Sequence, residues 1–79
     1  MTTDKFFSDF LAKLASLERL GDKYWAKQER AEAAGDTAKA AKMDHKMDCI
    51  SAEIEGMLNT LRMLGYVVQY QPNPVIVEV

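Results

Sequence analysis

Residues 43–64 read MDHKMDCISAEIEGMLNTLRML, and this stretch decides the fold of the chain. Its apolar side chains recur at alternating spacings of four and three residues, at Met43, Met47, Ile50, Ile54, Met57, Leu61 and Leu64. Such a row of apolar positions, called a seam below, is typical of a helix that packs along one side against another helix. The stretch therefore predicts a long second helix over about residues 37–64.

The first part of the chain carries a seam of the same kind. Its positions are Phe7, Phe10, Leu14, Leu17, Gly21, Tyr24, Gln28 and Ala31. A first helix is therefore predicted over about residues 3–34, with Thr2 or Thr3 as its N-terminal cap. Gly35 and Asp36 are predicted to form the turn, because glycine commonly ends a helix and aspartate commonly caps the next one.

The two seams align when the second helix is folded back on the first. In this antiparallel register Ala31 lies opposite Ala40, Gly21 opposite Ile50, and Phe7 opposite Leu64. Small side chains meet near the turn, where the helices must approach, and large ones meet at the far end. The sequence therefore predicts an antiparallel hairpin of two long helices.

After Gly65 the apolar period changes from helical to a two-residue alternation. Residues 66–70 (YVVQY) and 75–79 (VIVEV) flank the connection QPNP, which predicts a β-hairpin over about residues 66–79. We expect cross-strand pairs that collect six side chains on one apolar face: Tyr70 with Val75, Val68 with Val77, and Tyr66 with Val79. Because Pro74 disfavours a tight turn, pairing of the last strand with another chain stays an open alternative.

Together these elements predict one domain over residues 1–79, with an α+β fold that is mostly α. A chain of 79 residues forms only a marginal core. Apolar side chains beside the two seams also exceed what one neighbouring helix can cover: Phe6, Leu11, Leu20, Trp25, Leu58 and Met63. We therefore expect a homodimer that forms a four-helix bundle, whose interface includes these residues and Tyr66, Val68, Tyr70, Val75 and Val77.

Trp25 has two interpretations that the sequence does not separate. Tryptophan is a common anchor of protein interfaces, and Trp25 lies where the apolar stripe of the first helix becomes thin. The same side chain could instead fill core space that Gly21 leaves empty opposite Ile50.

Composition limits the classes of partner. The net charge of −2 is close to zero. We therefore do not expect the concentrated basic surface that nucleic-acid binding requires. Asp9 and Lys13 interrupt the apolar N-terminal patch, and no apolar run approaches the length of a membrane span, so we expect neither a signal peptide nor a membrane partner. A single cysteine, Cys49, favours a reducing compartment, and the expected location is cytoplasmic.

His45 and Cys49 are the candidate metal ligands, because they stand one helical turn apart. The first helix offers no histidine or cysteine to complete a coordination sphere, so we expect no metal site and no cofactor. The same pair has no orienting third group or pocket on a solvent face, so we expect no catalytic residues and no enzyme.

The leading functional hypothesis is a small non-enzymatic interaction or assembly module, which presents an oligomeric helical surface to a larger protein partner. Adaptor and inhibitor roles suit such a chain. The alternative is a small dimeric regulator associated with nucleic acid, whose lysines near the turn would align across the dimer. A third hypothesis is a metal-responsive sensor at His45 and Cys49.

Overall fold

A computed structural model describes the backbone of residues 2–79 and the side chains of residues 4–79. Two helices, α1 (Thr2–Ala33) and α2 (Thr37–Met63), are followed by two strands, β1 (Tyr66–Gln69) and β2 (Val75–Glu78). The helices pack on each other, and the strands form one antiparallel pair. The predicted fold, a long antiparallel helical hairpin followed by a β-hairpin, is confirmed. Capping by Thr2 or Thr3 concerns side chains outside the described ones.

The core of the molecule is the pair of seams. Among the side chains of residues 4–79, seven are buried: Leu14, Leu17, Ala31, Ala40, Met43, Ile50 and Leu61. All are seam positions once the second seam is extended by three residues from Met43 to Ala40, the partner of Ala31 in the predicted register. Gly21 faces Ile50, as the predicted register requires, because a Cβ on Gly21 would lie 3.8 Å from Ile50 Cγ2. The seam is buried because it is the only stripe of each helix that the other helix covers.

The turn between the helices is closed by backbone hydrogen bonds around Gly35. The Gly35 amide donates to the Glu32 carbonyl at 3.0 Å, and the Asp36 amide donates to the Ala31 carbonyl at 2.8 Å. This is the Schellman arrangement, and it requires the positive φ of 75° that Gly35 adopts. The Asp36 side chain then accepts a hydrogen bond from the Lys39 amide at 3.0 Å, which caps α2.

Substitution of Asp36 by alanine is expected to lower the free energy of unfolding by about 1 kcal/mol, because the cap of α2 is lost. Chemical denaturation followed by circular dichroism at one fixed protein concentration measures the change. Asp36→Asn is the matched control, since it keeps a side-chain oxygen that can accept the Lys39 amide. An Asp36→Ala protein as stable as the Asp36→Asn protein would contradict the role of this cap.

The prediction that Leu64 ends the seam opposite Phe7 is wrong. Helix α2 ends at Met63, and the Leu64 side chain is 60% exposed. Gly65, with φ of 95°, turns the chain back toward the helices. Phe7 therefore packs against Tyr66, with ring centroids 5.0 Å apart in an edge-on arrangement.

The predicted strand register is also wrong by one residue. The observed pairs are Tyr66 with Glu78, Val67 with Val77, Val68 with Ile76, and Gln69 with Val75. Five residues, not four, connect the paired ends of the strands, and the additional residue shifts the pairing. Because alternate side chains point to opposite faces, Tyr66 and Val68 do not share a face with Val75 and Val77.

Candidate interaction surface

The helical hairpin has two edges, one on each side of the seam. By the heptad pattern, one edge carries Leu11, Glu18, Trp25, Ser51 and Leu58, and we call it the groove edge. The other, called the lysine edge, carries Phe6, Lys13, Leu20, Lys27, Lys46 and Glu53. An ion pair between Lys13 Nζ and Glu53 Oε1, 3.5 Å apart, spans the two helices along the lysine edge.

Three hollows follow one another along the groove edge. The first lies between Trp25 and Ser51 and has Ile50 and Ile54 among its apolar lining residues. The second continues from Ser51 and Ile54 to Leu58 and Arg62. The third shares Leu58 and Arg62 with the second and ends against the strands at Val67, Val68 and Tyr70. Because neighbouring hollows share lining residues, they form one continuous groove, open to solvent, from Trp25 to the β-hairpin.

Trp25 forms one wall of the groove and is 55% exposed. It therefore does not fill core space beside Gly21, and the interpretation as a core aromatic is wrong. The space opposite Ile50 is instead part of the first hollow, which Gly21 and Ile50 both line. The role of Trp25 as an interface anchor stays a prediction.

The other predicted interface residues differ in exposure and location. Leu11, Leu58, Tyr66, Val68 and Val77 are half-buried, whereas Phe6, Leu20, Met63, Tyr70 and Val75 are exposed. The groove brings Leu58, Val68 and Tyr70 together at its strand end. Phe6 instead joins an aromatic cluster at the start of α1, with ring centroids 5.9 Å from Phe7 and 6.2 Å from Phe10.

Several surface residues escaped the sequence prediction. The predicted interface did not include Leu64 and Val79, which are both exposed. Gly65 directly after Leu64 is a signal that the helix ends there. The polar lining of the groove was also missed: Glu18, Asp22, Ser51, Glu55, Asn59 and Arg62. Helical spacing groups Glu18 with Asp22 on α1 and the other four on α2, but the two groups meet only after folding.

The lysine edge holds one interaction that periodicity did not reveal. Lys46 Nζ lies 5.1 Å from the centroid of the Tyr24 ring, within the range of a cation–π contact. The contact joins α2 to α1 and provides Lys46 with a favourable neighbour inside its own chain.

His45 and Cys49 lie together on the exposed face of α2. His45 Nε2 is 3.8 Å from Cys49 Sγ, as expected for residues one helical turn apart. Among the side chains of residues 4–79, no group of three or more histidine, cysteine, aspartate or glutamate residues is placed to hold a metal ion. The chain thus brings two potential ligands together at this position.

Two further findings bear on classification. Within the described residues, neither helix is apolar over a length sufficient to cross a bilayer. Comparison of the chain with protein-family models, with curated proteins and with solved structures finds no significant match.

Proposed function

We propose that this chain is a non-enzymatic interaction and assembly module that acts as a homodimer and presents a helical surface to a larger protein partner. The observation that carries the proposal is the amount of exposed surface. The accessible area is 5777 Å² for a chain of 8.9 kDa. A compact monomer of that mass exposes about 4,800 Å², so the excess is on the order of 1,000 Å².

The shape of the molecule accounts for this excess. Its extents are 50 × 23 × 20 Å, and the long dimension matches a helix of 32 residues at about 1.5 Å per residue. A single layer of two helices has one buried seam and leaves both edges open. A standard protein interface buries about 800 Å² on each partner, which is close to the excess.

A larger partner is proposed for the surface that a second copy leaves uncovered. Exposed Phe6 and Leu20 lie on the lysine edge, and exposed Met63 and Leu64 lie at the end of α2. Covering apolar side chains of this size with a partner protein lowers the free energy of the system. An adaptor or inhibitor acts in this way, by binding without chemistry.

A cytoplasmic location is part of the proposal. The thiol of Cys49 is free and exposed, and the sequence contains no other cysteine with which it could pair. Such a thiol is most stable in a reducing compartment.

The proposed homodimer predicts twice the chain mass in light scattering coupled to size-exclusion chromatography at micromolar concentration. Dilution should shift the mass toward that of the single chain, because association is a concentration-dependent equilibrium. Helical circular dichroism recorded on the same fractions serves as a control for folding. A folded protein with the monomer mass throughout the micromolar range would contradict the homodimer.

A further inference from the structure

We infer that the groove edge is the docking surface for a second copy of this chain, with the two copies antiparallel about a two-fold axis that crosses the middle of the groove. The inference rests on the proposed homodimer and adds which edge is used and in which orientation. Three observations support this inference. Charged residues are distributed unevenly along the groove, an apolar hollow lies where it can receive Trp25 of the second copy, and lysines on the opposite edge already have partners within the chain.

The groove has acidic side chains at one end, Arg62 at the other, and Glu55 between them on α2. Glu18 and Asp22 line the end near Trp25, whereas Arg62 lines the end near the strands. Asp22 lies at the level of Ile50, because its neighbour Gly21 faces that residue. Arg62 is twelve residues further along α2, which corresponds to about 18 Å.

A two-fold axis midway between these levels makes the two ends of the groove complementary, whereas Glu55 lies near the axis and faces its own copy in either orientation. The axis places the acidic end of one copy against the basic end of the other, twice per dimer. A parallel arrangement would instead set acid against acid and Arg62 against Arg62. Opposite charges at both ends therefore favour the antiparallel orientation.

The same axis gives Trp25 a binding position. Trp25 lies beyond Asp22 toward the turn, so in the other copy it falls opposite the hollow at the strand end. That hollow is lined by Arg62, Val68 and Tyr70, which offer apolar surface and a guanidinium group that can stack on the indole. Tryptophan, tyrosine and arginine are the residue types that dominate interface energies.

The lysine edge is less suited to a second copy, because two of its three lysines already have partners within the chain. Lys13 pairs with Glu53, and Lys46 lies over Tyr24. Among the side chains of residues 4–79, by contrast, neither Asp22 nor Arg62 takes part in an ion pair. The groove edge therefore combines apolar surface with charges that a second copy can satisfy.

The decisive experiment is a charge exchange measured by sedimentation equilibrium. Asp22→Arg and Arg62→Glu are each expected to weaken dimerisation by about tenfold, because each one sets like charges against each other. The double variant should return the dissociation constant to within about threefold of wild type, since opposite charges then face each other again. Both residues are exposed, and circular dichroism verifies that the variants fold.

A second pair of variants tests the apolar contact. Trp25→Ala is expected to weaken the dimer by about thirtyfold, as for an interface hot spot. Leu20→Ala removes a partly exposed side chain from the lysine edge and should leave the dissociation constant unchanged.

The outcomes separate this inference from the homodimer itself. A wild-type dimer that neither Trp25→Ala nor the charge variants weaken would leave the homodimer standing and overturn docking on the groove edge. Weakening by Trp25→Ala without recovery in the double charge variant would overturn the antiparallel orientation. A wild-type monomer would contradict both proposals and leave the groove to a different protein.

Discussion

Replacement of Leu61 by alanine is expected to unfold the chain, with a loss of about 2–5 kcal/mol in the free energy of unfolding. Leu61 is 1% exposed and belongs to the last buried layer of the seam before the strands. The loss combines the missing apolar transfer energy with the cavity that remains between two stiff helices. A core in a chain of this size supplies only about 3–5 kcal/mol, so a single cavity removes most of the stability.

Thermal unfolding followed by the helical circular dichroism signal tests this expectation. Met63→Ala is the matched control, because Met63 lies two residues away in the same helix and is 87% exposed. The control should change the free energy of unfolding by no more than about 0.5 kcal/mol. All proteins are compared at one concentration, since dimerisation raises apparent stability. If Leu61→Ala melts like Met63→Ala, the seam is not the core.

Tyr66→Ala is expected to release the β-hairpin from the helices while the helical hairpin stays folded. The Tyr66 ring contacts Phe7 edge-on, and the pair connects the start of β1 to α1. Such an aromatic pair contributes about 0.5–1.5 kcal/mol beyond its buried area. Because a two-stranded hairpin is marginal by itself in water, loss of this contact should make the strand pairing unstable.

Amide hydrogen exchange measured by nuclear magnetic resonance resolves the two parts of the molecule. In Tyr66→Ala, ladder amides of β1 and β2 should exchange at least about tenfold faster, whereas amides next to Leu14 and Ile50 should keep their protection. Tyr66→Phe keeps the ring and serves as the control. Unchanged protection of the strand amides in Tyr66→Ala would show that Phe7 and Tyr66 do not hold the hairpin in place.

The heptad pattern was sufficient to predict most of the architecture. Helix periodicity is a local property, and the short Gly35-Asp36 turn leaves two long helices little choice of register. The pairing of Gly21 with Ile50 and the burial of Leu14 and Leu61 follow from these two facts. The fold and the core positions were therefore predictable before any contact was known.

The sequence was sufficient to predict a β-hairpin in the C-terminal segment, but the predicted strand register was wrong. Alternating valines indicated two strands, but their register depends on how many residues the connection takes, and Pro74 excludes the simple tight turns that would fix that number. The exposure of Leu64 likewise depends on where Gly65 turns the chain. The heptad pattern alone therefore placed Leu64 in the seam, although the last buried seam position is Leu61.

The groove is the feature that only the tertiary structure decided. The sequence determined two helices, their seams and their register, because those depend on periodicity along one chain segment. It could not decide whether Trp25 is core or surface, nor that Asp22 and Arg62 line two ends of one groove. These relationships join residues far apart in the chain, and they exist only once α1, α2 and the strands have packed together.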